Sequence, residues 1–289
     1  MHSCKSIMAL LIALAIFAGC RGKETGVEPK GGKSLDSVSA AAWDKLAGKR
    51  IFFGHQSVGY NIMDGVGALL KENHSIRLTI VETTDASRFD APVFAHAGVG
   101  RNENPGSKCE AFEQYMDLGI GSRADIAFFK FCYVDINRET DVEKVFESYK
   151  ATVRRVKTKY PGLTLVHVTV PLTSAEYTLA VRLKSFIKRI LGRENENVAR
   201  GELNERIRKE FGGTDPVFDL AAIESTSPFG EGVSFTYHGK KYPCMYPGYT
   251  TDGGHLNDAG KRVAAVGLLQ TLLRVVEIEK THPSPKREA

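Results

Sequence analysis

The residues best suited to chemistry stand near the end of the chain, in the run Asp252-Gly253-Gly254-His255-Leu256-Asn257. A carboxylate three residues ahead of an imidazole, in a turn loosened by two glycines, can orient that imidazole as a general base. The plainer alternative is a polar turn that caps the helix-forming residues after Asn257. Because a general base acts on a nucleophile, the chain should also offer a hydroxyl or a thiol.

Ser57 is the candidate nucleophile. It follows the apolar run Arg50-Ile51-Phe52-Phe53-Gly54, which is typical of a strand, and it precedes a segment with helical spacing. A strand-to-helix turn of this kind presents a serine hydroxyl at the edge of a sheet. The other role for Ser57 is a helix N-cap, and the two roles are compatible. Cys132 is a weaker candidate because a cysteine at the end of an apolar run is usually buried and inert.

Short apolar segments alternate with longer amphipathic ones along most of the chain. Continuous apolar strands suit a parallel sheet that is buried on both faces. We therefore predict a three-layer α/β/α fold with a mainly parallel, doubly wound, flavodoxin-like sheet. A small hairpin near 228–250 should turn at His238-Gly239, beside Asp252. The predicted strands are 50–54, 77–82, 125–132, 163–170 and 217–220, and the predicted helices are 58–72, 109–118, 141–160, 179–191, 203–211 and 257–279.

The N-terminal segment predicts export. Residues 1–20 hold a short apolar run and small residues before Cys20, as in a bacterial lipoprotein signal whose cysteine is lipidated. Residues 21–38 read as a flexible tether, 39–281 as a single domain, and 282–289 as a disordered tail. We expect a cell-envelope protein that meets the membrane only through its lipid anchor. The alternative is a plain secretory signal and a periplasmic or secreted protein.

Composition excludes several classes of function. The 39 basic residues outnumber the 34 acidic ones but are scattered among them, so we expect no nucleic-acid partner. Cys109, Cys132 and Cys244 are too few and too far apart for a disulfide framework or a zinc site. His55, His96 and His255 lack the close spacing of a metal site, so we predict no metal and no cofactor. Lys130, inside an apolar run, should reach the strand's end or pair with an acid such as Asp135.

The run from Asp252 to Gly260 resembles the last sequence block of the SGNH hydrolases, also called GDSL-like esterases and lipases. In that block an aspartate and a histidine are catalytic. The resemblance extends over residues 48–275. Gly54-His55-Gln56-Ser57 stands for the family's Gly-Asp-Ser, with one extra residue and no aspartate. Ala97-Gly98-Val99-Gly100-Arg101 is similar to the glycine loop of the oxyanion hole. The segment 124–135 is similar to the strand that ends in Gly-x-Asn-Asp, with Val134 at the place of the asparagine.

The resemblance implies a serine esterase without cofactors. Ser57, His255 and Asp252 would form the triad, and the N–H groups of Ser57 and Gly100 the oxyanion hole. The substrate would be an ester, with a small acyl group such as acetyl on carbohydrate as the favoured one. Two alternatives stay open, a catalytically weak envelope protein that binds polysaccharide and an O-acyltransferase with the same triad.

Val134 is the main departure from the family pattern. Losing one side-chain donor of an oxyanion hole can cost about 10²- to 10³-fold in rate. Asn137 and Asn102 are the candidate replacements for that donor. The sequence predicts no oligomeric state.

Overall fold

The computed structural model describes residues 35–175 and 196–278. The predicted signal segment, residues 21–34 of the tether, the predicted helix 179–191 and the tail 282–289 lie outside the described residues. Within them no helix is long and apolar enough to cross a membrane. The helices are α1 (Ala40–Ala47), α2 (Ser57–Glu72), α3 (Pro105–Tyr115), α4 (Gly121–Arg123), α5 (Val142–Lys159), α6 (Asn197–Phe211), α7 (Leu220–Glu224) and α8 (Asp258–Ile278). The strands are β1 (Arg50–His55), β2 (Ile80–Glu82), β3 (Val93–Gly98), β4 (Ile126–Phe129), β5 (Thr164–Leu165), β6 (His167–Val168), β7 (Val217–Phe218), β8 (Ser234–Tyr237) and β9 (Lys240–Pro243).

The central sheet is parallel. Five strands pair in the order β2-β3-β1-β4-β5, and β6 pairs in parallel with β7. Only Val166 separates β5 from β6, and its N–H donates to the Ala127 carbonyl at 3.1 Å, so the two form one interrupted strand. Without the edge strand β2, the order is the 2-1-3-4-5 order of flavodoxin-like sheets. The predicted doubly wound α/β/α fold is confirmed.

One central strand is absent from the predicted set. β3 lies between β2 and β1, and it is preceded by a proline and carries His96 among its apolar residues. These residues interrupt the continuous apolar run by which the other strands are recognised. As a correction, Gly98 ends β3 and Gly100 follows it, whereas the sequence places both after the predicted strand 77–82.

Helices cover both faces of the sheet and enclose two hydrophobic cores. α1, α2 and α8 pack on one face, and α3, α5 and α6 pack on the other. Side chains of β1 alternate between them, with Ile51 and Phe53 in the first core and Phe52 in the second. Because each strand is buried on both faces, its sequence is apolar without alternation.

The last helix, α8, lies directly against α2. A Cβ added at Gly65 of α2 would stand 2.3 Å from the carbonyl oxygen of Lys261, so the backbones of the two helices touch. This close packing brings the loop before α8 to the side of the helix that begins at Ser57.

The hairpin of β8 and β9 is antiparallel and turns at His238-Gly239. Both turn residues have positive φ, 45° and 77°, as the tight turns of two-residue hairpins require.

Candidate active site

Asp252 and His255 are in direct contact. The distance between Asp252 Oδ2 and His255 Nδ1 is 2.5 Å, and Asp252 Oδ1 accepts from the N–H groups of Gly254 at 2.9 Å and His255 at 2.7 Å. Gly253 has φ of 89°, which lets the turn close around the carboxylate. Burial raises the pKa of Asp252, but the hydrogen bonds from Gly254 and His255 outweigh it and lower the pKa to about 2. The ionised carboxylate therefore holds the Nδ1–H of His255 and leaves Nε2 as an acceptor.

A second hydrogen bond attaches this loop to α2. The N–H of Leu256 donates to Asn61 Oδ1 at 3.1 Å. Asn61 comes one helical turn after Ser57, so both residues lie on the same face of α2. Among the described residues, the Ser57 hydroxyl makes no hydrogen bond to His255 or to any other group. The structure thus joins Asp252 to His255 directly and brings their loop to the face of α2 that carries Ser57.

The turn between β1 and α2 has a specific local construction. Gln56 occupies the N-cap position and Ser57 is the first helical residue, so the N-cap role considered for Ser57 is not adopted. The Gln56 side chain caps nothing and instead donates to the carbonyls of Val99 at 3.1 Å and Gly100 at 2.9 Å. Gln56 therefore clamps the glycine loop to the start of α2, a role that the sequence did not suggest.

The glycine loop exposes backbone donors. Gly100 has φ of 55°, and a Cβ there would stand 2.6 Å from the backbone nitrogen of Lys108. Its N–H has no acceptor among the described residues. The N–H of Ser57, in the first turn of α2, has no acceptor within the helix. Two backbone N–H groups, one at the start of α2 and one in the glycine loop, are therefore available to a ligand.

The segment after β4 is fixed by a buried ion pair. Lys108 Nζ is 2.8 Å from Asp135 Oδ2, and both side chains are fully buried. Asp135 also accepts from the N–H groups of Cys132 at 2.6 Å and Glu103 at 2.8 Å. Of the two alternatives for Lys130, it stands at the end of β4, and it does not form the ion pair with Asp135 because Lys108 takes that place.

Lys130 is fully buried within the segment 124–135. Its Nζ lies 3.4 Å from the Phe131 carbonyl and 3.6 Å from Cys132 Sγ. Burial lowers the pKa of Lys130. Its short contacts are therefore with neighbouring residues of its own segment.

The Oδ1 atoms of both asparagines considered as replacements for the oxyanion donor missing at Val134 accept hydrogen bonds from other groups. Asn137 Oδ1 accepts from the Glu139 N–H at 2.9 Å, within a local turn. Asn102 Oδ1 accepts from Lys108 Nζ at 3.0 Å. Among the described residues, Tyr133 contacts the other ring nitrogen of His255, with its hydroxyl 3.4 Å from Nε2. Tyr133 stands directly before Val134, and this position is the one signal in the sequence that could have indicated a role at the site.

Two other histidines lie on the same edge of the sheet. His55 Nε2 is 3.0 Å from His96 Nδ1, and His55 Nδ1 is 3.2 Å from the Gln56 carbonyl. Burial, together with the charge of Lys130, lowers the pKa of His55 to about 3, and burial also lowers the pKa of His96. A Cβ at Gly59 would stand 2.2 Å from His55 Cγ, so the ring fills the space under the first turn of α2.

These histidines contact each other rather than His255. Within residues 35–175 and 196–278, no three His, Cys, Asp or Glu side chains are grouped as metal ligands would be.

Comparisons with known proteins complete the description. No family model matches the sequence, and no curated protein matches it. One similar solved structure is a candidate acylhydrolase from Bacteroides fragilis, 15% identical over 84% of this chain and 97% of that one, with a TM-score of 0.46. Another is a candidate GDSL-like lipase from Parabacteroides merdae, 11% identical over 77% and 94%, with a TM-score of 0.45. An acetyl xylan esterase is 16% identical over 76% and 96%, with a TM-score of 0.41.

The resemblance to the SGNH hydrolases implies an arrangement of strands that the structure contains. The parallel, doubly wound sheet that it implies is the sheet of this chain. Identities this low assign neither an activity nor a substrate.

Proposed function

We propose that this chain is a serine esterase that uses Ser57 as nucleophile, His255 as general base and Asp252 as the residue that orients the imidazole. The observation that carries the proposal is the 2.5 Å contact between Asp252 Oδ2 and His255 Nδ1. The bond from the Leu256 N–H to Asn61, on the Ser57 face of α2, supports it. In the proposed mechanism the hydroxyl reaches Nε2 when the substrate binds, since catalytic hydrogen bonds often form only in the substrate complex.

The proposed reaction has two steps. His255 Nε2 takes the Ser57 proton while Oγ attacks the ester carbonyl, and the oxyanion binds the N–H groups of Ser57 and Gly100. The intermediate then expels the alcohol, which leaves with the proton from Nε2, and the acyl group stays on Ser57. Water gives a proton to Nε2 and attacks the acyl carbon, and Ser57 regains its proton as the acid departs.

The proposed substrate is a small acyl ester, acetyl in the first instance, on an envelope carbohydrate. This choice follows from the signal-like N terminus and from what the family resemblance implies. Cys20 would carry the lipid anchor, and no other contact with the membrane is proposed. If so, Cys20→Ser should move the protein from the membrane fraction to the soluble fraction of the envelope. Unchanged partitioning of this variant would rule out the anchor.

The test of the esterase is hydrolysis of p-nitrophenyl acetate by the purified protein, compared with Ser57→Ala and His255→Ala. A fluorophosphonate probe should label the parent protein at Ser57 and leave Ser57→Ala unlabelled. Equal hydrolysis by all three proteins, or labelling that survives Ser57→Ala, would refute the proposed triad. Acetylated xylan and acetylated peptidoglycan fragments then test the carbohydrate substrate.

A second candidate is a catalytically weak protein that binds polysaccharide. It is favoured by Val134, which stands at the place of the family's asparagine and supplies no side-chain donor. It is also favoured by the Ser57 hydroxyl, which makes no hydrogen bond to the described residues. Retained polysaccharide binding by Ser57→Ala, with no turnover by the parent, would establish it. Acyl transfer is distinguished by adding an acceptor sugar and measuring acylated sugar against free acid.

A further inference from the structure

Tyr133 is the one described side chain whose polar atom contacts Nε2 of His255. The distance from its hydroxyl to Nε2 is 3.4 Å. In the proposed reaction, every oxygen that exchanges a proton with Nε2 must come within about 2.6–3.2 Å of it. These oxygens are Ser57 Oγ, the oxygen of the leaving alcohol and the attacking water. The phenol hydroxyl therefore lies beside the place where these oxygens react.

The Tyr133 side chain is held in this place from several sides. A Cβ at Gly254 would stand 2.6 Å from the phenol ring, so the ring lies flush against the backbone of the catalytic loop. The Tyr133 carbonyl accepts from Nε of the buried Arg200 at 2.8 Å, and the guanidinium carbon is 5.7 Å from the centre of the Tyr133 ring. Asp135, two residues on, is fixed by Lys108.

The hydroxyl also keeps its proton. Burial and the nearby charge of Asp252 raise the pKa of Tyr133. A neutral phenol can donate one hydrogen bond and accept another.

We infer that Tyr133 is a further catalytic residue, whose hydroxyl binds first the leaving-group oxygen and then the attacking water at Nε2 of His255. This inference rests on the proposed esterase function. As the carbon–oxygen bond breaks, its electron pair goes to the leaving oxygen, which takes the proton from Nε2 and accepts a hydrogen bond from Tyr133. Water then enters the same place, gives one proton to Nε2 and donates its other hydrogen to the Tyr133 oxygen. The phenol proton stays on Tyr133 throughout.

The inference predicts a dependence on the leaving group. Nitrophenolate is a stable anion and leaves without a proton, whereas the alkoxide of a sugar or aliphatic alcohol needs one. Tyr133→Phe keeps the ring and loses only the hydroxyl. Removing one hydrogen bond to the reacting oxygen should lower kcat/KM for an alkyl or sugar acetate about tenfold more than for p-nitrophenyl acetate. Slower entry of water should also produce a burst of nitrophenol followed by a reduced steady rate.

The matched control is Tyr60→Phe. Tyr60 lies in the first turn of α2, and its hydroxyl donates to Glu82 at 2.6 Å instead of contacting His255. The ratio of kcat/KM between the two esters should not change in this variant. Equal thermal unfolding midpoints would show that both variants are folded.

The possible results separate the inference from the proposed function. A selective loss on the alkyl ester by Tyr133→Phe supports the inference. An equal loss of kcat/KM on both esters would mean that the hydroxyl binds the carbonyl oxygen or contributes only to packing. No loss of kcat/KM would mean that it takes no part in the reaction. Either result overturns the inference and leaves the proposed esterase function intact. Absence of Ser57-dependent hydrolysis in the parent would overturn both.

Discussion

Two hydrogen-bonded pairs that contain histidine have opposite environments. One joins His55 to His96, and the other joins His255 to Asp252. His55 is fully buried and bonded to His96, and burial lowers its pKa to about 3. His255 is 40% exposed and bonded to the ionised Asp252. A histidine without an acidic partner in a dry site stays neutral and serves packing, whereas a carboxylate stabilises the imidazolium that a general base must form. Proximity to Ser57 in sequence, which favours His55, is therefore a poor guide to which histidine works with it.

Replacing a histidine of each pair in turn tests most directly whether His255 acts as the base. If His255 is the base, His255→Ala should lower kcat for p-nitrophenyl acetate by about 10⁵- to 10⁶-fold, as in other serine triads. His96→Phe should keep kcat within about tenfold, because its ring contacts His55 and Tyr60 and makes no contact with His255. A larger loss in His96→Phe than in His255→Ala would reverse the two roles.

Replacing the acidic partner tests why His255 differs. Asp252→Asn keeps the size of the side chain but cannot hold the Nδ1–H of His255 in the same tautomer. We expect kcat to fall by about 10⁴-fold with KM little changed. A variant with parental kcat would show that the 2.5 Å contact is structural.

The pH dependence of stability should report the buried pair. Unfolded His55 takes up a proton near pH 6.5, whereas the folded protein does not protonate it until about pH 3. Between these values the unfolded state binds more protons, so stability is lost as the pH falls below 6.5, by about 1.4 kcal/mol per pH unit. Urea unfolding of the parent at pH 7 and pH 5, beside His55→Leu, measures this. A slope in His55→Leu as steep as in the parent would assign the proton uptake elsewhere.

The smallest expected effect concerns the contribution of the His55–His96 hydrogen bond to stability. His96→Phe leaves His55 Nε2 without its hydrogen-bond partner in a buried site. We expect the free energy of unfolding to fall by about 1–3 kcal/mol. Urea unfolding at pH 7 checks the value, and no change in stability would mean that the 3.0 Å bond contributes little.

The sequence predicts what depends on neighbouring residues. Asp252 and His255 lie within one turn, so their contact follows from their spacing. The change from apolar run to helical spacing predicts a helix over 58–72 directly after Ser57, and α2 begins one residue earlier, at Ser57 itself. The sequence does not predict β3 because Pro92 and His96 interrupt its apolar pattern. In the structure that histidine is buried and bonded to His55.

Contacts between distant segments leave no periodic signal. The buried ion pair of Lys108 with Asp135 joins residues of α3 and the turn after β4, so the sequence offered the nearer Lys130 as a possible partner of Asp135 and did not suggest Lys108. Tyr133 reaches His255 across 122 residues, and no spacing rule predicts such an approach.

The position of α8 has a consequence for when the molecule can fold. α8 supplies much of the core that α1 and α2 share, and its backbone touches α2 at Gly65. A nascent chain therefore cannot close that core, or bring the Asp252 loop towards α2, until the residues of α8 have left the ribosome. The part of the core between α1, α2 and α8 should therefore be the last to close during synthesis of these residues.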